Sequence, residues 1–139
     1  MKELSKLGSP PPPALRVLLA VGLSLVRGLL HDLLSALPGL EIVAEVSRSG
    51  DLLRQTRQFM PDLVLLDWDL GGLGALRELR TLTPVPQVII LTSGADADYC
   101  AAVLTGGGAA CLARERLHRE LAPAIRGLIA RRGEEAAYV

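Results

Sequence analysis

Apolar residues along this chain follow two alternating rhythms. Short unbroken runs recur: Arg16-Val17-Leu18-Leu19-Ala20-Val21, Leu40 to Val46, Leu63-Val64-Leu65-Leu66, Gln87-Val88-Ile89-Ile90-Leu91-Thr92 and Ala109-Ala110-Cys111-Leu112-Ala113. Between them, apolar positions return every three or four residues, as on one face of a helix. The runs are too short for ordinary helices and are bounded by glycine and proline. They predict strands covered on both faces, as in a parallel sheet.

The helical segments have their own punctuation. The first carries Leu25, Val26, Leu29, Leu30, Leu33, Leu34 and Leu37, which predict one broad inward face. Ser24 is its expected N-cap, and Pro38-Gly39 stops it. A second helix opens at Ser49-Gly50-Asp51, turns Leu52, Leu53, Thr56 and Phe59 inward and ends before Pro61. A third follows Gly71-Gly72 with Leu73, Leu76, Leu79 and Leu82. A fourth runs from about Asp96 to Leu104 and is broken by Gly106-Gly107-Gly108. The last carries Leu117, Leu121, Ile125, Leu128 and Ile129, with Pro123 placed to kink it.

Strands alternating with helices, joined by right-handed crossovers, predict an α/β fold. The expected architecture is a doubly wound five-stranded parallel sheet in the order 2-1-3-4-5, flavodoxin-like. Its switch point lies between strands one and three. There the carboxyl ends of strands one, three, four and five converge, bringing Val21-Gly22, Asp67, Thr92-Ser93 and Arg114 to one edge. Ligands bind at that edge in open α/β sheets. An Asp after a strand can also simply begin a polar turn.

Composition narrows the function classes. Half of the 139 residues are apolar and 22% are charged, enough for a real core. Fifteen basic and fifteen acidic residues cancel, which gives no net pull toward nucleic acid or membrane. Residues 1–14, with prolines at 10–13, read as a flexible Pro-rich tail. Residues 15–131 read as one domain, and 132–139 as a tail or the start of a linker. No signal-peptide or membrane-spanning run is visible, so a cytoplasmic setting is expected. Cys100 and Cys111 lack metal-site spacing and read as small buried hydrophobes.

Several segments together resemble the CheY-like receiver domain of bacterial response regulators, over roughly Leu15 to Ala130. Arg16 to Leu19 followed by Leu25-Val26-Arg27 is similar to the family's opening strand and helix. Pro61-Asp62-Leu63-Val64-Leu65-Leu66-Asp67 resembles its phospho-acceptor strand, and Val88 to Ser93 the strand bearing a hydroxyl. Gly107 to Arg114 falls where the family has a Gly-Ala stretch, an aromatic and a lysine. Leu37-Pro38-Gly39-Leu40 and the segment Ala124 to Glu134 look most like receivers that precede a LuxR/NarL-type helix-turn-helix module. No such module lies within residues 1–139.

The resemblance implies roles. Asp67 matches the aspartate phosphorylated by a histidine kinase, and Thr92 the hydroxyl that binds the phosphoryl group. Arg114 takes the lysine position, keeping the charge but not the shape. The acidic pair that helps hold Mg²⁺ is replaced by Val21 and Gly22, followed by Leu23 and Ser24. Cys111 stands at the switching aromatic, and Gly74 near a position that is often acidic. Asp69 belongs to the expected pocket and is expected to contribute its backbone, its carboxylate joining a Mg²⁺ site only if the side chain turns inward.

These replacements predict weak or absent Mg²⁺ binding, no cofactor, no metal site and no enzymatic activity. With no other acid nearby, Asp67 is expected to pair directly with Arg114. The leading expectation is an atypical receiver that acts without phosphorylation, through contacts with other proteins. Its expected partners are a second copy, met through the last helix and its neighbouring strand, and a histidine kinase or other regulatory protein. A receiver still phosphorylated at Asp67 is the alternative. A flavodoxin-like enzyme or nucleotide binder is disfavoured, because no Gly-x-Gly-x-x-Gly follows the first strand. Contact with nucleic acid or membrane by this domain is not expected. His31 and His118 read as surface residues, and Trp68 as a cover for the pocket or a partner contact.

Overall fold

The computed structural model describes residues 14–94 and 96–137, with side chains through Arg132. All of the tail expected over residues 1–14 except Ala14 lies outside them. The strands are β1 (Leu15–Ala20), β2 (Leu40–Val46), β3 (Leu63–Asp67), β4 (Gln87–Thr92) and β5 (Ala110–Ala113). They form one parallel sheet in the order β2-β1-β3-β4-β5, as expected. The helices are α1 (Ser24–Ser35), α2 (Ser49–Phe59), α3 (Gly72–Leu79), α4 (Ala97–Thr105) and α5 (Leu117–Ala137). α5 runs into the residues read as a C-terminal tail.

Strand alternation divides the core into two layers. Leu63 and Leu65 of β3 face the layer that buries Leu30 and Leu34 of α1 and Leu117, Leu121, Ile125 and Leu128 of α5. Val64 and Leu66 face the layer that holds Leu52 of α2, Ala75, Leu76 and Leu79 of α3, and Val103 of α4. Every residue of β3 is buried, including Asp67. A carboxylate at the end of a fully covered strand needs partners from neighbouring elements.

Three local expectations are corrected. Leu23, not Ser24, is the N-cap of α1, and it makes no side-chain cap. The inward face of α1 is also narrower: Leu30 and Leu34 are buried, whereas Leu25 is 88% exposed. Leu25 and Leu29, one turn apart, form a second stripe directed away from the sheet, because a sheet covers only one arc of a helix. The cysteines are not separate buried hydrophobes. Cys100 of α4 and Cys111 of β5 form a disulfide across a Cα–Cα distance of 5.4 Å, and both are partly exposed. The turn Gly106-Gly107-Gly108 folds α4 back beside β5, which brings two residues 11 apart into register.

Candidate functional site

The site begins with the exit of β3. One turn of 3₁₀ helix, Trp68–Leu70, follows Asp67 directly. Gly71 and Gly72, with φ of 111° and 51°, then turn the chain into α3. This tight turn throws the Asp69 side chain back toward the sheet edge. A second 3₁₀ turn, Arg114–Arg116, follows β5 and aims Arg114 at the same point. Neither turn leaves a hydrophobic rhythm.

Arg114 links the two exits. Its Nη2 donates to Asp67 Oδ1 and, at 2.9 Å, to Asp69 Oδ2. The Asp67 side chain is almost wholly buried, and that of Arg114 is one-fifth exposed. Burial alone would push the Arg114 guanidinium down. The hydrogen bonds to Asp67 and Asp69 and their negative charges outweigh it and hold the guanidinium above its ordinary range. Asp69, expected mainly as a backbone contributor, turns its carboxylate inward and gives it to Arg114.

The other oxygen of Asp67, Oδ2, is buried and has no hydrogen-bond partner among the described residues, and neither does the Tyr99 hydroxyl. Tyr99 approaches from α4. Burial, and then the charge of Asp67, raise its phenol above the ordinary value of 10.0. A Cβ at position 72 would stand 2.9 Å from the Tyr99 hydroxyl, so Gly72 makes room for the phenol. Sequence reasoning missed Tyr99; its one signal is its place three residues after Asp96, whose carboxylate caps α4 by accepting from Tyr99 N at 3.0 Å.

The other positions are placed as follows. Thr92 is buried, and its hydroxyl donates to the Gly94 carbonyl at 2.8 Å. Val21 is buried with its N–H on the Val46 carbonyl, 3.0 Å away. A side chain at Gly22 would meet Leu70 Cδ1 at 3.3 Å, so Leu70 crowds that position. Cys111 faces α4 rather than Asp67 and is tied to it by the disulfide. Trp68 is 41% exposed and lines a cavity of about 330 Å³ with Thr92, Ser93, Asp96 and Tyr99. His31 lies 3.0 Å from Glu45 on the rim of the sheet, and His118 is exposed.

The response regulator receiver domain model matches residues 17–126. The chain belongs to this family. Its domain matches receiver domains of two-component signal transduction rather than an enzymatic fold. Protein-glutamate methylesterase/protein-glutamine glutaminase 5 of Myxococcus xanthus is 34% identical, over 88% of this chain and 40% of that protein. The transcriptional regulatory protein LiaR of Bacillus subtilis is 31% identical, over 81% of this chain and 54% of LiaR. The chain thus spans about half or less of the length of these relatives. A LuxR-family two-component response regulator from Aurantimonas sp. SI85-9A1 superposes with a TM-score of 0.77 at 26% identity, covering 84% of this chain and 86% of that one. The isolated receiver domain of RcsB from Salmonella enterica serovar Typhimurium has the same fold, with a TM-score of 0.77 at 18% identity, covering 84% of this chain and 88% of that one. The chain is a receiver-type signalling module homologous to the receivers of response regulators. No helix among the described residues is long and apolar enough to cross a membrane.

Proposed function

We propose that this receiver signals without phosphorylation, with Asp67 already neutralised by Arg114. The observation that carries this reading is the guanidinium shared between Asp67 and Asp69. A phosphoryl group arriving at a receiver aspartate needs an exposed oxygen and a cation to screen its charge. Asp67 is buried, one oxygen is held by Arg114, and the local cation is already engaged by two carboxylates.

The donor set argues in the same direction. Mg²⁺ takes oxygen ligands in near-octahedral geometry. Val21 and Gly22 offer no side-chain oxygen, and both remaining carboxylates bind Arg114. No group of three His, Cys, Asp or Glu side chains comes together among the described residues. These residues do not fit Mg²⁺.

In this reading the module works in the cytoplasm through self-association by α5 and the edge strand β5. The length of α5, 21 residues, and the position of β5 at the sheet edge support it. A helix-turn-helix output module carried on the same protein would be paired by such a dimer on a two-fold DNA site. The names of the transcriptional relatives support that output. A histidine kinase as partner rests on the family resemblance.

A second reading keeps phosphorylation at Asp67. The unpartnered Oδ2 favours it. Incubation with Mg²⁺ and acetyl phosphate, followed by intact mass, separates the two. The expected result is no added phosphoryl group, with an ordinary receiver labelled in parallel. A gain that Asp67→Asn abolishes would establish the second reading.

A further inference from the structure

α4 is the least anchored helix of the sheet. Of its nine residues only Val103 is fully buried, and Tyr99 and Cys100 are partly exposed. It ends in Gly106-Gly107-Gly108, which adds no side chain to hold it. A helix with so little apolar contact opens readily. What ties its first half to the sheet is the packing of Tyr99 against the core and the covalent bond from Cys100 to Cys111 on β5.

That bond is reachable. Both cysteines line a surface cavity of about 240 Å³ together with Thr92, Ala113 and Arg116. Small thiols and disulfides attack sulfurs that face solvent. The same cavity touches Thr92, at the carboxyl edge of the sheet. The residue beside Cys100 is Tyr99, which lines the neighbouring cavity with Thr92 and Trp68.

We propose that Cys100 and Cys111 form a thiol–disulfide modification site whose oxidation clamps α4 onto β5 and whose reduction releases it. The oxidant is a small-molecule disulfide. The thiolate of one cysteine attacks a sulfur of that disulfide, forming a mixed disulfide and expelling one small thiolate. The second cysteine, deprotonated, attacks the protein-bound sulfur, forms the Cys100–Cys111 bond and expels the second. The two protons released by the cysteines go to the two departing thiolates. Two cysteine thiols are oxidised and one external disulfide is reduced. The inference does not depend on whether Asp67 accepts phosphate.

The test uses the whole chain in buffers of oxidised or reduced glutathione, without a phosphodonor. Thiols are counted by alkylation and intact mass, and hydrogen exchange is followed along the chain. Reduced glutathione should leave two alkylatable thiols in a folded protein, and oxidised glutathione none in a monomer. Exchange over Ala97–Thr105 should be about tenfold faster in the reduced form, with α5 unchanged. Cys100→Ser should exchange like the reduced protein in both buffers. This partly exposed helical position keeps the test open if Cys111→Ser does not fold. A bond that resists reduction until the protein is denatured, a disulfide-linked dimer, or equal exchange of α4 in both buffers would overturn the proposal. So would slow exchange of α4 in Cys100→Ser.

Discussion

α4 and α5 flank the same end of the sheet and are held there by different physics. α5 buries Leu117, Leu121, Ile125 and Leu128, a stripe at spacings of four, four and three. α4 buries Val103 and leans on a disulfide. Apolar burial does not respond to the redox poise of the surroundings, whereas a sulfur–sulfur bond does. Residues at the start of each helix approach Asp67: Arg114 in the 3₁₀ turn that leads into α5, and Tyr99 in the first turn of α4. From the α5 side, Arg114 makes a formed, charge-assisted hydrogen bond. From the α4 side, Tyr99 brings a buried hydroxyl with no partner. The firmly anchored side neutralises the aspartate and the weakly anchored side leaves it unsatisfied. A receiver arranged this way has one fixed wall and one adjustable wall around its central acid.

The largest expected effect tests the fixed wall. Ile125→Ala removes a fully buried side chain from the α1–α5 layer and should cost about 3 kcal/mol in denaturant unfolding. Val103→Ala in the oxidised protein should cost less, about 1–2 kcal/mol, because it removes two buried carbons rather than three. Equal losses would erase the contrast between the helices.

Asp67→Ala should come next, at about 2 kcal/mol. It strips Arg114 of its buried partner, but Asp69 and partial exposure soften the loss. Unchanged denaturant unfolding in this variant would mean that the pair contributes nothing to the fixed wall.

A smaller effect reads the adjustable wall by pH. The folded Tyr99 phenol ionises above 10.0, because burial and Asp67 both oppose the phenolate. Its contribution to stability is complete below the unfolded value of 10.0 and is lost as pH rises through the folded value. In an absorbance titration, Asp67→Asn should move the phenol back toward 10.0 without reaching it, since burial remains. No movement would separate Tyr99 from the acid. The smallest effect is expected at Leu25, which is 88% exposed: Leu25→Ser should change stability by at most about 0.5 kcal/mol.

The hydrophobic rhythm of the chain was enough to read the strands, their order and the edge where Asp67, Thr92 and Arg114 meet. These are properties of local period and of the handedness of crossovers, and both are written in residue order. The length of α1's inward face was over-read, because periodicity gives the stripe but not how far a neighbour covers it. Asp69, Tyr99 and the Cys100–Cys111 bond were not legible. Each depends on a short turn: the 3₁₀ turn at Trp68–Leu70, the capped start of α4, and the glycine turn before β5. Such turns are two to four residues long and leave no period. Yet they set the direction of a side chain by tens of degrees, and a hydrogen bond or a disulfide tolerates little error in direction. Residue order therefore specified which elements form and which residues share an edge. The partners those residues take there were settled by the packing of turns distant in sequence.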